Sequence, residues 1–84
     1  MRVTLLTQDS CTFCEEAKRL LGRLAPEYGL EVEVLDLQSP QGQTLAERGG
    51  VLFPPGLFIE GIAFAYGRPS ERALRRALER FTRA

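Results

Sequence analysis

The sequence contains no histidine and only two cysteines, Cys11 and Cys14. A closed structural zinc site takes four ligands, usually cysteine or histidine, so one copy of this chain does not supply enough of them. Two copies that each contribute both cysteines could build such a site, and this alternative stays open. A purely structural disulfide would close a loop of about four residues and stabilise the fold by roughly 2 kcal/mol, which is a weak reason for the pair.

The sequence also lacks an excess of charge of either sign and a long apolar run. Eleven basic and eleven acidic side chains cancel, so no overall field attracts nucleic acid or an anionic membrane. No apolar segment approaches the length of about 20 residues that spans a bilayer. Residues 1–7 are too short for a signal peptide and have no cleavage site. We therefore expect a cytoplasmic protein with neither nucleic-acid nor membrane partners.

No linker, repeat or low-complexity segment divides the chain. Its 84 residues are enough for one hydrophobic core and too few for a catalytic domain with a separate regulatory domain. We therefore expect a single domain over residues 1–84 that functions as a monomer.

The segment Cys11-Thr12-Phe13-Cys14 lies after an apolar run and at the start of a helical pattern. Two cysteines three positions apart in the first turn of a helix have their sulfurs on one face, and the helix N-terminus favours negative charge on the first sulfur. In a reducing compartment such a pair is more often redox or metal-binding than structural. The spacing therefore predicts a redox dithiol, and two buried, inert cysteines are the alternative.

Hydrophobic periodicity predicts seven elements in the order βαβαββα. Pro26 and Gly29 are expected to end the first helix, and the alternation over residues 31–35 predicts a strand with one buried face. The predicted strands are 3–7, 31–35, 57–60 and 62–66, and the predicted helices are 12–25, 41–48 and 70–83. This order predicts a parallel βα unit completed by an antiparallel hairpin, with helices covering the sheet.

This order, with Cys-x-x-Cys between the first strand and the first helix, resembles the thioredoxin fold, and the short length resembles its glutaredoxin branch. The resemblance covers nearly the whole chain. It implies an α/β fold with a four-stranded mixed sheet flanked by three helices. It also implies a redox-active centre for electron transport and cell redox homeostasis, a thiol–disulfide oxidoreductase in which Cys11 attacks a disulfide and Cys14 resolves the mixed disulfide.

Residues 53–61, Phe-Pro-Pro-Gly-Leu-Phe-Ile-Glu-Gly, contain a second motif. They resemble the segment in which glutaredoxins carry a valine and a cis-proline before a strand, and Pro55 corresponds to that cis-proline. The resemblance implies that Thr12, Phe13, Pro54 and Pro55 contact the substrate. Pro54 replaces the usual valine, so one N–H donor to the substrate is absent. Without the resemblance, the proline pair is an ordinary loop breaker and Phe13 a cap on the core.

The residue three positions before Cys11 helps to indicate which electron donor reduces the protein. Dithiol glutaredoxins usually carry a lysine three residues before the first cysteine, where it helps to bind glutathione, and this chain has Gln8 followed by Asp9. With Glu15 and Glu16 also nearby, the local charge does not attract anionic glutathione. Residues 65–70 resemble, at two positions, the glutaredoxin-like hydrogen donors of ribonucleotide reductase that thioredoxin reductase reduces; a helix entry is the other interpretation. We expect no tightly bound cofactor, and glutathione or a thioredoxin-reductase-type donor as electron source.

The expected substrates are protein or small-molecule disulfides, and two further interpretations use the same cysteines. A carrier module would hold a metal ion or an iron–sulfur cluster between two protomers. A redox-inert adaptor would keep the fold with a pair that is unreactive at neutral pH.

Overall fold

The computed structural model describes residues 1–83, and its elements follow the predicted order. The strands are β1 (Arg2–Thr7), β2 (Glu31–Asp36), β3 (Gly56–Ile59) and β4 (Ile62–Tyr66), and the helices are α1 (Thr12–Tyr28), α2 (Pro40–Gly49) and α3 (Glu71–Arg83). The strands form one mixed sheet in the order β2-β1-β3-β4, which confirms the predicted α/β architecture. No helix within residues 1–83 combines the length and the hydropathy needed to cross a bilayer.

Strand β1 determines where the cysteines lie. It runs parallel to β2 and antiparallel to β3, with Val3 opposite both Val32 and Ile59. Near its other end, Leu6 is opposite Gly56. The C-terminal end of β1 and the N-terminal end of β3 therefore lie at the same end of the sheet. The loop that leads from β1 to the cysteines and the proline loop that precedes β3 meet at that end.

The main core lies between α1, α3 and one face of the sheet. Residues 3–7 of β1 are all buried, as expected for a central strand. Phe58 of β3 is 2% exposed, and its ring lies beside Gly49 of α2 on the other face of the sheet. The core cluster consists of Val3, Leu5, Ala17, Leu20, Leu21, Leu24, Leu57, Ile59, Leu74, Ala77 and Leu78. Each fully buried leucine or isoleucine contributes about 1.5–3 kcal/mol through removal of apolar surface from water.

Helix α1 is longer than predicted because Pro26 does not end it. The helix continues to Tyr28, and Gly29 caps it in the left-handed conformation (φ 62°), with its N–H donating to the Ala25 carbonyl. Pro26 lies in the last turn, where its missing N–H removes a single hydrogen bond, the one to the Gly22 carbonyl. The prediction that Pro26 stops the helix is therefore wrong, and Gly29 is the residue that terminates it.

Strand β2 does not have the buried face that its alternating sequence predicts. Val32 and Val34 are 40% and 49% exposed, and Leu35 is the one residue of the strand that is half-buried. Because β2 forms one edge of the sheet, it has β1 as its only neighbouring strand, and the core cluster lies over the other strands. Alternation identifies residues that share a face, but the position of the strand in the sheet decides whether that face is covered.

An ion-pair network joins α1 to α3 and predicts a loss of stability in acid. Arg75 donates to Glu27 (2.7 Å) and Glu71 (3.0 Å), and Arg23 donates to Glu71 (2.8 Å). The hydrogen bond from Arg75 is the main reason that the pKa of each carboxyl lies below its ordinary value of 4.5, and the hydrogen bond from Arg23 also lowers the pKa of Glu71. A carboxyl whose pKa is lower in the folded than in the unfolded state stabilises the protein when the pH is above its unfolded-state pKa. This stabilisation is lost as the pH falls through its folded-state pKa.

We therefore expect the free energy of unfolding, measured with urea, to fall as the pH decreases below about 4.5. The double variant Glu27→Gln/Glu71→Gln should show a smaller decrease over this range than the wild type. Glu47→Gln, at an exposed position of α2, is the matched control and should keep the full dependence. Equal pH dependence in the wild type and the double variant would contradict the assignment.

Candidate functional site

Cys11 and Cys14 lie where β1 leads into α1. Cys11 is the N-cap residue, with extended backbone (φ −115°, ψ 105°), and the helix begins at Thr12. The two cysteines form a disulfide, and their Cα atoms are 5.2 Å apart. The Cys11 Sγ accepts a hydrogen bond from the Cys14 N–H (3.1 Å), as the oxygen of a serine cap does. The first sulfur therefore lies at the positive end of the helix dipole, where negative charge is stabilised.

The two cysteines differ in their access to solvent. Cys14 is 0% exposed, whereas Cys11 is half-buried. Cys11 is therefore the more accessible of the two cysteines. Thr12 is exposed, and Phe13 is 40% exposed, so Phe13 is not a cap on the core. The two residues between the cysteines therefore lie on the protein surface beside Cys11.

The proline loop lies at the same end of the sheet as the cysteines. The Pro54–Pro55 peptide bond is cis, as the resemblance implies for Pro55. Pro55 is buried and Pro54 is half-buried. The Pro55 carbonyl accepts a hydrogen bond from the Gly67 N–H (2.8 Å), which ties the loop to the end of β4. Neither proline has an N–H, and the Pro55 carbonyl is already paired, so the Pro54 carbonyl is the remaining backbone hydrogen-bonding group of the pair.

An aromatic cluster beside the proline loop is a part of the site that sequence reasoning missed. The rings of Phe53 and Tyr66 pack edge to face, with centroids 5.1 Å apart and planes at 87°. Phe53 also packs over Gly67, where an added Cβ would lie 2.9 Å from the ring. Phe53 and Tyr66 are 52% and 40% exposed. The register that places Tyr66 opposite Gly56 brings the two rings together, and a hairpin predicted with that register could have indicated the pair.

Charges of both signs surround the cysteines. Asp9 and Glu15 are exposed and Glu16 is half-buried. Lys18, the single lysine of the sequence, donates to Glu15 (3.1 Å), so its charge is partly offset. The guanidinium carbon of Arg68 lies 5.9 Å from the centroid of the Phe13 ring, within the range of a cation–π contact. Arg68, which lies in the weak motif of residues 65–70, therefore brings a positive charge to the segment between the cysteines.

No group of three or more cysteine, aspartate or glutamate side chains within residues 1–83 is arranged to hold a metal ion. A site shared by two copies stays a prediction. A surface groove of about 560 Å³ lies near the start of β1 and the hairpin turn, and its lining includes Arg2, Glu31 and Glu60. That end of the sheet is opposite to the cysteines. The groove is therefore not part of the candidate redox site.

Solved structures with the same architecture include redox proteins of three kinds. A mutant thioredoxin from Halobacterium salinarum is 26% identical, with a TM-score of 0.73 over 96% of this chain and 74% of that one. Reduced glutaredoxin from Escherichia coli is 17% identical, with a TM-score of 0.68 over the full length of both chains. The glutaredoxin-like NrdH-redoxin from Escherichia coli is 21% identical, with a TM-score of 0.63 over 89% of this chain and 93% of that one.

The chain has a thioredoxin/glutaredoxin-like fold. No family model matches its sequence, and no curated protein is significantly similar to it. The similarity therefore lies in the three-dimensional structure together with the Cys11–Cys14 pair. A Cys-x-x-Cys disulfide at the start of the first helix of such a fold supports a thiol–disulfide redox protein.

Proposed function

We propose that the protein is a thiol–disulfide oxidoreductase that reduces disulfides through Cys11 and Cys14. The observation that carries the proposal is the asymmetry of the pair: a half-buried cysteine caps the helix N-terminus and is joined to a fully buried cysteine one turn later. The accessible sulfur is at the position where a thiolate is stabilised, and the buried sulfur is within bonding distance of it. This arrangement separates the attacking role from the resolving role.

In the proposed reaction, the Cys11 thiolate attacks one sulfur of the substrate disulfide. The substrate S–S bond breaks, a mixed disulfide forms, and the leaving sulfur takes up a proton. The Cys14 thiol then loses its proton and attacks the Cys11 sulfur, which releases the second substrate thiol. Two electrons and two protons have passed to the substrate, and the Cys11–Cys14 disulfide has formed. A reductant must supply the same two electrons and two protons to restore the dithiol.

The surface around Cys11 supports a protein disulfide as the substrate. Phe13, Phe53 and Tyr66 are each 40% or more exposed, and Leu52 is 77% exposed. An extended substrate segment that lies along the proline loop can donate an N–H to the Pro54 carbonyl, but it receives no N–H from Pro54 or Pro55. Apolar contact with the exposed rings would then contribute more to binding than backbone pairing does.

The charges beside the site support a protein reductant over glutathione. Gln8 stands where dithiol glutaredoxins usually have a lysine, and Asp9, Glu15 and Glu16 add negative charge. Arg68 lies over the Phe13 ring and brings one positive charge to the site. Glutathione is anionic, so the carboxylates on the helix side should weaken its binding. The donor that we propose is a reductase of the thioredoxin-reductase type.

The test is to follow the thiol content of the oxidised protein after addition of one of two donors. One donor is reduced glutathione, and the other is NADPH with thioredoxin reductase. We expect the reductase to reduce the Cys11–Cys14 disulfide faster than glutathione does. The variant Gln8→Lys should increase the rate with glutathione, while Gln8→Leu, which adds no charge at the same exposed position, should not. Reduction by glutathione alone would contradict the proposed donor, and reduction by neither would leave no support for it.

A further inference from the structure

The net charge of zero conceals a separation of charge along the chain. Residues 68–84 contain six arginines and two glutamates, so this segment carries a charge of +4 and the rest of the chain carries −4. Most of the positive segment is helix α3, Glu71–Arg83. A neutral protein with this distribution has a positive helix and a negative remainder, and its field near α3 differs from the field that its net charge indicates.

Four arginines lie on one face of α3 and form what we call the arginine stripe: Arg72, Arg76, Arg80 and Arg83. Their spacing of four, four and three residues keeps them on one side of the helix. All four are exposed, whereas Leu74, Ala77 and Leu78 face the core. At a rise of 1.5 Å per residue the stripe is about 16 Å long.

The other charged residues of α3 are held by α1, whereas the stripe is not. Arg75 bonds to Glu27 and Glu71, and Glu79 accepts a hydrogen bond from the Tyr28 hydroxyl (3.2 Å). Within residues 1–83, no arginine of the stripe takes part in an ion pair. Ion pairs within residues 1–83 therefore account for Arg75 and not for the stripe, although Arg80 and Arg83 lie in the last turn of α3, where the helix dipole favours positive charge.

We propose that the arginine stripe is a docking surface for an acidic segment of the protein with which Cys11 and Cys14 exchange a disulfide. This inference rests on the proposed function. Arg68 precedes α3 and lies over Phe13, so positive charge continues from the helix to the residue between the cysteines. Arginine forms bidentate hydrogen bonds with carboxylates, so a run of glutamates or aspartates matches the stripe in charge and in geometry.

Two other anionic partners fit the surface less well. Nucleic acid is negatively charged along its whole length and would extend beyond the stripe, where it meets the field of residues 1–67 with their net charge of −4, whereas a short acidic segment can be confined to the stripe. An anionic membrane favours a helix with apolar residues between the basic ones, and the exposed side of α3 has Ala73 as its only such residue within Glu71–Arg83. An acidic segment of a protein can be short enough to lie on the stripe alone, and it does not need apolar residues between the arginines.

The test compares the reduction of two peptides, each with one disulfide-closed loop and a tail of six residues. One tail is all glutamate and about 20 Å long when extended, and the other is all serine. At low ionic strength, we expect the wild type to reduce the glutamate peptide about tenfold faster than the serine peptide, and high salt should remove this preference. The triple variant Arg72→Gln/Arg76→Gln/Arg80→Gln should lose the preference while reducing the serine peptide at the wild-type rate.

The matched control is Arg2→Gln/Arg19→Gln/Arg48→Gln, which removes the same charge from exposed positions outside α3. It should keep the preference for the glutamate peptide. The proposal is overturned if the stripe variant keeps the preference, or if the control loses it equally, because net charge alone would then explain the effect. Circular dichroism would verify that both variants keep the helix content of the wild type.

A binding measurement separates this proposal from the proposed function. If the wild type, the stripe variant and the control all fail to reduce the serine peptide, the oxidoreductase proposal fails. Docking is then decided by the fluorescence anisotropy of a labelled glutamate peptide in which serine replaces cysteine. Weaker binding to the stripe variant than to the wild type and the control supports docking, and equal binding overturns it. Tighter binding of a single-stranded oligonucleotide or of phosphatidylserine vesicles than of the peptide would overturn the assignment to a protein partner.

Discussion

Replacement of Cys11 by serine is expected to reduce the catalysed reduction of a protein disulfide to the background rate. A serine hydroxyl cannot form a mixed disulfide, and in the oxidised protein Cys11 is the more accessible of the two cysteines. Insulin reduction driven by dithiothreitol measures the loss. Cys14→Ser should retain the first step, because Cys11 and its position at the helix N-terminus are unchanged.

The Cys14→Ser variant supplies a second readout for the same prediction. Without a resolving thiol, the mixed disulfide between Cys11 and the substrate should accumulate, and mass spectrometry would detect it. Cys11→Ser should form no such adduct under the same conditions. If Cys11→Ser forms the adduct and Cys14→Ser does not, the two roles are reversed. Equal turnover in the wild type and Cys11→Ser would refute the proposed function.

Replacement of Gly42 by alanine is expected to lower the free energy of unfolding by about 2–3 kcal/mol. Gly42 is buried in the first turn of α2, and its N–H donates to the side chain of Ser39, the N-cap residue (3.0 Å). An added Cβ would overlap the Asp36 carbonyl oxygen and lie 3.1 Å from the Leu37 Cα. These are backbone atoms, so the start of α2 must move away from the end of β2.

Gly22→Ala is the matched control for Gly42→Ala. Gly22 lies on the exposed side of α1, and an added Cβ there meets nothing within 4 Å. Alanine should therefore stabilise the protein by roughly 0.5–1 kcal/mol through its higher helix propensity. Urea unfolding of the two variants should give changes of opposite sign. A Gly42→Ala variant as stable as the Gly22→Ala variant would show that α2 tolerates displacement from β2.

Most of the architecture could be predicted because it depends on local patterns. The apolar run of β1, the leucine spacing of α1 and the turn at Gly61 each specify an element without reference to the rest of the chain. The errors occurred where the outcome depends on neighbours. Pro26 is tolerated because it lies in the last turn of α1, and Val32 stays exposed because β2 is at the sheet edge.

The candidate site could also be predicted where it depends on local sequence, and not where it depends on contacts between elements. Cys11 and Cys14 are linked by their spacing alone, and the Pro54–Pro55 motif was visible in the sequence. The contact between Arg68 and Phe13 and the edge-to-face contact between Phe53 and Tyr66 join residues from separate elements. Such contacts follow from strand register and loop conformation, which periodicity does not specify.

The sequence by itself determined that a pair of cysteines three residues apart begins a helix after a buried strand, because spacing and periodicity are local properties. The tertiary structure decided which cysteine is accessible and which residues surround it. It covers Cys14 completely and leaves Cys11 half-buried. It also brings the loop before β3 and Arg68 to the end of the sheet where the cysteines lie. The reason is that β3 pairs antiparallel with both β1 and β4, so the start of β3 lies beside the ends of these two strands.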